Sequence, residues 1–180
     1  SVGYLYNSNF SDVETIKPEI KNILKKYKLN SKESKNLSFN TFYRKQNFRG
    51  KFTYNGNSSF FLEPIEATSL NTSIDVIKKT SKLLKNEMSF KEVNEHYQNF
   101  LRETIDIVML HYLVDPPFNT SFWKMANRKA NEWFVKRYKE YPKINIITQK
   151  GEFNYSTWYE ESFKQNLTGL NLYDKLKKLK

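Results

Sequence analysis

The chain contains no cysteine, so neither a disulfide framework nor a thiolate-held metal is possible. Its two histidines, His96 and His111, are too few for most imidazole-based metal sites. No apolar run approaches the ~20 residues needed to cross a bilayer. No signal-peptide pattern opens the chain, and a cytoplasmic protein without a membrane partner is expected. Arginine is scarce, since 25 of the 30 basic residues are lysine. Base and phosphate recognition favours arginine forks. The net charge of +11 therefore does not by itself indicate a nucleic-acid partner. Together with 20 asparagines, the lysines are what an AT-rich genome produces without selection for charge. Asn-x-Ser/Thr triplets such as Asn57-Ser58-Ser59 follow from the same abundance and carry no glycosylation weight.

Aromatic residues are abundant, at 16% of 180 residues, with 14 Phe and 12 Tyr. They can bury enough area to give a chain of this length one real core. Val2–Asn7 has the composition of a strand. Ser11 with Glu14 forms a capping box, followed by Ile16, Ile20, Ile23, Leu24 and Tyr27 at helical spacing. Pro18 shortens or displaces that helix's start. Leu37–Tyr43 and Lys51–Tyr54 are predicted strands, with Asn47–Gly50 as the turn. Asn55-Gly56 breaks the pattern. From Asn71 the period becomes helical, with Ile74, Ile77, Leu83 and Leu84 forming the apolar face. Ser89 and Glu92 cap a second helix whose stripe runs from Phe90 to Tyr112, ending at Asp115-Pro116-Pro117. Thr120 or Ser121 caps a third, carrying Phe122, Trp123, Ala126, Ala130, Trp133, Phe134 and Tyr138, which Pro142 closes. A short helix around Trp158, Tyr159 and Phe163 and a Lys-Leu tail complete the pattern. Glu103 with Asp106, and Glu160-Glu161, are read as solvated helix faces.

This order predicts a mixed α/β fold, a few strands followed by a mainly helical region. The divisions expected are 1–66, 67–141 and 142–180. Between strands and helices lies Ser58-Ser59-Phe60-Phe61-Leu62-Glu63-Pro64-Ile65-Glu66-Ala67-Thr68-Ser69. Two acids beside an apolar wall are costly unless satisfied or used. On spacing alone the stretch reads as a helix entry, with Pro64 in the first turn and the acids complementing the dipole.

The stretch Gly56-Asn57 through Glu63-Pro64-Ile65-Glu66-Ala67-Thr68-Ser69 resembles the signature near the active site of flavin-dependent tryptophan halogenases. Gly3-Tyr4-Leu5-Tyr6-Asn7-Ser8, Ser11-Asp12-Val13-Glu14, and Asp106–Tyr112 followed by Phe122-Trp123-Lys124-Met125-Ala126-Asn127 extend the likeness in order to about residue 135. The resemblance implies the C-terminal part of an FAD-dependent, monooxygenase-like enzyme that oxidises chloride or bromide with reduced flavin and O2. The family's Gly-x-Gly-x-x-Gly, its Trp-x-Trp-x-Ile-Pro motif and its catalytic lysine have no counterpart here. With Ser1 followed at once by strand-like residues, the chain is expected to be a cut piece, inactive without the flavin-binding part. A flavin reductase, a small aromatic substrate and self-association through exposed apolar surface are the partners implied.

Carried over by position, Glu66 matches the glutamate close to the substrate and implies a general-base or orienting role. Thr68 and Ser69 match the pair whose backbone N–H groups hold halide. Gly56, Asn57 and Pro64 match the segment that meets the flavin. Tyr112, Phe122, Trp123 and Asn127 match substrate-pocket positions, although by pattern alone Phe122 and Trp123 read equally as core. The chain departs from the family at Ala67, Ser69, His111 and Phe118. Phe118 stands where an acid meets the amine of free tryptophan, so another electron-rich arene is implied. The alternative is a basic binding module without catalysis.

Overall fold

A computed structural model describes residues 3–30, 35–63, 68–115, 118–140 and 160–179. The elements are α1 (Val13–Lys26), β1 (Phe42–Tyr43), β2 (Phe48–Arg49), β3 (Phe52–Thr53), a 3₁₀ turn (Gly56–Ser58) and β4 (Phe60–Phe61). They are followed by α2 (Thr68–Leu84), α3 (Phe90–Leu113), α4 (Ser121–Glu140), α5 (Glu160–Gly169) and α6 (Tyr173–Lys178). The fold is mixed α/β and mainly helical, as the pattern predicts.

α3 is the spine. Its capping box forms as expected: the Ser89 N–H donates to Glu92 Oε2 (2.7 Å) and the Glu92 N–H to Ser89 Oγ (3.3 Å). Its N-terminal half gives Val93, Tyr97, Phe100 and Leu101 to one core, shared with Phe48, Phe60, Leu62 and Val76. Its C-terminal half gives Ile107, Leu110 and Leu113 to a second, shared with α4 (Ala130, Phe134), α5 (Phe163, Leu167) and Leu172 and Leu176.

The strands are shorter than predicted and pair differently. β1 lies antiparallel to β4, and β2 to β3, in two separate ribbons. Asn47–Gly50 is not simply a turn, because Phe48 and Arg49 are themselves paired and Gly50, at φ +55°, starts the reversal. Side-chain amides hold these short strands. Buried Asn47 donates to the Tyr54 carbonyl (2.8 Å) and accepts from Ser59 Oγ (2.7 Å). Asn94 of α3 accepts from the N–H groups of Asn47 and Phe48 (2.9 and 3.0 Å) and donates to the Phe48 carbonyl (2.8 Å). The ribbons are thus fastened to α3 rather than to a wide sheet.

Four local expectations are corrected. Residues 3–7 form no strand; the Tyr4 hydroxyl instead donates to Glu19 on α1. The α1 cap is Asp12 rather than Ser11, with Oδ1 accepting from the Thr15 N–H (2.8 Å). A carboxylate accepts from that amide as a hydroxyl would, and its charge also complements the helix dipole. Pro18 sits inside α1 without displacing its start. On α2, Leu70, Ile74, Ile77 and Leu84 face solvent, while Thr72 and Val76 face inward. Short side chains there allow α2 to approach the 3₁₀ turn, where Ser73 Oγ would lie 3.7 Å from a Cβ on Gly56.

The largest correction concerns Glu103 and Asp106, which are buried rather than solvated. Asp106 is fully enclosed and receives a two-point bond from Arg137 of α4, with Nε–Oδ1 at 2.8 Å and a terminal nitrogen–Oδ2 at 2.6 Å. The Trp133 indole N–H also donates to Asp106 Oδ1, at 2.7 Å. Among described residues no helix is long and apolar enough to cross a membrane. The stretch with Pro142, Ile144, Gly151, Trp158 and Tyr159 lies outside the described residues, as do the side chains of Glu160 and Glu161.

Removing one partner of a buried ion pair strands the other charge, typically at 3–5 kcal/mol. Asp106→Ala should therefore destabilise the chain by about 3–5 kcal/mol, measured as a shift in urea midpoint at unchanged slope. A loss under ~1 kcal/mol would show that the pair is not a structural lock.

Candidate functional site

The α3–α4 junction is built by termination chemistry. Val114 closes α3 in extended conformation (φ −56°, ψ 159°). The Trp123 N–H donates to Thr120 Oγ1 (3.4 Å), so Thr120 takes the capping place at the start of α4. Asn127, nearly two turns into α4, reaches back to the end of α3. Its Nδ2 donates to the carbonyls of Tyr112 (3.1 Å), Leu113 (3.3 Å) and Val114 (2.8 Å). Those carbonyls have no partner within the helix. Asn127 therefore fixes the helix end that carries Tyr112, and it is not among the cleft-lining residues.

Three aromatic rings meet at this junction. Tyr112 lies 6.1 Å from Phe122 at 80° and 5.9 Å from Trp123 at 51°, and the last two are 5.6 Å apart at 75°. Edge-to-face geometry of this kind holds rings at fixed angles. Phe10 adds a fourth ring against Phe122 (5.9 Å, 74°). Tyr112, Phe122 and Trp123 line one side of a cleft of about 2590 Å³. Glu63, His111, Phe118 and Thr120 also line the cleft, as do residues of the 3–41 region.

The Tyr112 hydroxyl donates to Glu63 Oε2, joining the aromatic cluster to the segment after β4. Burial raises the Glu63 proton affinity, against the opposing effects of the Tyr112 bond and the nearby His111. Burial, with the Glu63 carboxylate beside it, pushes the Tyr112 phenol far above its ordinary value. His111 Nδ1–H donates to the Ile107 carbonyl (2.9 Å). Asp115 does not serve His111, since it pairs with Lys175 (2.7 Å), which holds its carboxyl below the usual range.

The remaining sequence candidates divide into two groups. Gly56 and Asn57 occupy the 3₁₀ turn, Gly56 at φ +55° and Asn57 exposed; neither lines the cleft. Thr68 and Ser69 open α2, where first-turn amides have no partner within the helix. Pro64 and Glu66 lie outside the described residues. Like Glu19 of α1, Glu63, which on spacing alone reads as a helix-entry acid, has its carboxylate on the cleft. The apolar run Phe60-Phe61-Leu62 just before it was the available signal, since an acid after a buried strand is either partnered or used. Among described residues no group of three acidic or histidine side chains is placed to hold a metal.

The raised Glu63 value has a pH consequence with a definite sign. The folded chain holds this proton more firmly than the unfolded chain. The associated stability is present below the ordinary glutamate value and is lost as pH rises through the raised one. Glu63→Gln does not ionise. Its melting temperature relative to the parent should therefore climb as pH increases over that range, and a pH-independent difference would refute the assignment.

The family model described as Tryptophan halogenase matches residues 1–178. No curated protein and no solved structure matches the chain. With the match running over essentially all 180 residues, the chain belongs to the tryptophan halogenase family.

Proposed function

We propose that this chain forms the substrate-facing part of a flavin-dependent halogenase acting on an electron-rich arene other than free tryptophan. The observation that carries this reading is the packing of Tyr112, Phe122 and Trp123 together at the cleft, with Tyr112 bonded to Glu63. Flat aromatic walls suit a planar ring, and a few polar groups fix its orientation. Phe118, where an acid would meet a substrate amine, is exposed along the same cleft and supports the exclusion of an amino-acid cation.

A flavin is implied by the family. Gly56 is the residue here suited to meet it, because it stands at positive φ and presents backbone without a side chain. Asn57 and Pro64 flank that contact in sequence. The chain has no Gly-x-Gly-x-x-Gly, so it supplies an edge of such a site and not the phosphate cradle. Bound reduced flavin, with O2 and chloride or bromide, would supply the electrophilic halogen, and a flavin reductase would supply the electrons.

This chain's own residues have four tasks. The aromatic walls orient the ring. Asn127 holds Tyr112 in place by fixing the end of α3. The first amides of α2, at Thr68 and Ser69, offer donors to an anion at the positive end of the helix. Glu66 takes the proton that leaves the arene carbon when the carbon–halogen bond forms. The solvent-facing stripe of Leu70, Ile74, Ile77 and Leu84 supports self-association or docking of a flavin-binding part.

The alternative, a basic binding module, would use a different face. Lys45, Arg49, Lys91 and Arg102 line a groove of about 760 Å³ between β2 and α3. DNA affinity with a steep salt dependence would favour it.

Proton removal by a placed base contributes about 10²–10⁴-fold. In the flavin-loaded enzyme, Glu66→Gln should cut halogenation by at least ~100-fold while leaving flavin absorbance on the protein unchanged. Undiminished turnover would remove Glu66 from the mechanism.

A further inference from the structure

We propose that the groove between β2 and the N-terminal half of α3 binds an extended acidic peptide segment of a partner protein. The groove shares no lining residue with the aromatic cleft. Arg102, on its lining, stands ten residues before Tyr112, about 15 Å along α3. The inference therefore goes beyond the halogenase reading and does not depend on it.

Arginine usage singles out this groove. The chain has five arginines. Arg137 is locked to Asp106, and Arg128 pairs with Glu132 at 3.6 Å. Arg44 lies 3.7 Å from the centre of the Tyr54 ring and donates to the Ser58 carbonyl at 2.7 Å. The other two, Arg49 and Arg102, have side chains without a partner among the described residues, and both line the groove. A composition biased toward lysine does not place both uncommitted arginines together. Lys45 joins them, likewise without an ion-pair partner among the described residues, and Lys91 reaches Glu95 only at 3.9 Å. Glu95 is the one carboxylate on the described lining. All four cations are exposed. They repel one another, and a bound anion relieves that repulsion.

The remaining lining chooses a peptide. A guanidinium fork meets a carboxylate at two points. Gln98 and Asn94 are committed to backbone, donating to the Lys45 carbonyl (2.6 Å) and the Phe48 carbonyl (2.8 Å). Those bonds fix the strand against the helix. Gln46 and Asn99 line the groove with exposed amides. An amide both donates and accepts, as a peptide backbone requires of its partner. Phe90, exposed on the same lining, offers one apolar contact. Single-stranded nucleic acid calls instead for several rings on which successive bases stack. Phe48, the other ring on the lining, is buried. From Phe90 to Arg102 the groove follows α3 for about 18 Å, the reach of about five extended residues. The fit is to a short segment with several carboxylates and one apolar side chain.

The test is fluorescence anisotropy of a labelled Glu-Asp-Leu-Glu-Asp peptide with this chain at physiological salt. The comparison probes are Glu-Asp-Ala-Glu-Asp and a labelled thymidine oligonucleotide of equal charge. Close charge pairs across an interface contribute about 10-fold or more each. Arg49→Gln/Arg102→Gln should therefore bind the leucine peptide at least ~10-fold more weakly. Lys78→Gln/Lys82→Gln removes the same charge from exposed positions outside the groove. It should change binding by less than ~3-fold, because distant charges are screened. The leucine peptide should bind at least ~4-fold more tightly than the alanine peptide, and Phe90→Ala should abolish that preference without altering charge. No binding of the leucine peptide, equal losses in the two double variants, a leucine preference that survives Phe90→Ala, or an oligonucleotide bound as tightly as the peptide each overturns the proposal.

Discussion

The bond from Arg137 to Asp106 is the constraint on which the rest depends. Two charges are removed from water between α3 and α4, with side-chain exposures of 4% and 0%. Such a pair does not itself guarantee stability, because desolvation consumes much of the Coulombic gain. What it provides is register. The planar guanidinium must meet two oxygens at once, and the Trp133 indole N–H must meet one of them. Sliding α4 along α3 by one turn would break all three contacts and bury both charges unpaired. The apolar neighbours Ile107, Leu110, Ala130 and Phe134 tolerate small shifts far better.

That register places the site. From Arg137 the antiparallel pair runs back to Asn127, whose amide meets three carbonyls at the end of α3. From there Tyr112 is set against Phe122 and Trp123, and its hydroxyl fixes Glu63. Lock, helix end, aromatic wall and carboxylate follow in sequence along one helix pair. The other end of α3 is held independently, by Asn94 on the strand ribbons and by the bond between His96 and Asp75 of α2 (3.0 Å). One helix of 24 residues thus joins two cores, and the cleft opens at the second.

Much of this was legible in the residue pattern. The capping box at Ser89 and Glu92 and the long apolar stripe identify α3 because both signals are local. The pair Phe122-Trp123 is recognisable from sequence as an aromatic wall or core, and the structure places both rings on the cleft. Tertiary information was needed elsewhere. Asp106 falls four and seven residues before Leu110 and Leu113, on the buried face, and only a cation elsewhere in the chain makes that tolerable. Arg137, seven residues after Ala130, is that cation. The outward stripe of α2 reads as core until the small residues on its other face are seen against the 3₁₀ turn. The two predicted strands survive only as Phe42–Tyr43 and Phe52–Thr53 and take other partners, where Asn47 and Asn94 supply bonds that β-propensity does not register. Asn127 matches a pocket position, yet its amide is committed to backbone, a partnership that spacing cannot reveal.

The central claim is that a buried charge pair below the site, more than the site's own contacts, holds the α3–α4 junction in place. Amide hydrogen exchange on Asp106→Asn tests it most directly. The substitution keeps the shape and removes one charge. The account predicts that residues 110–114 and 121–127 lose protection, while the amides of Val93 to Phe100, anchored by the other core, retain theirs. Equal loss in both regions, or a junction as protected as in the parent chain, would contradict it.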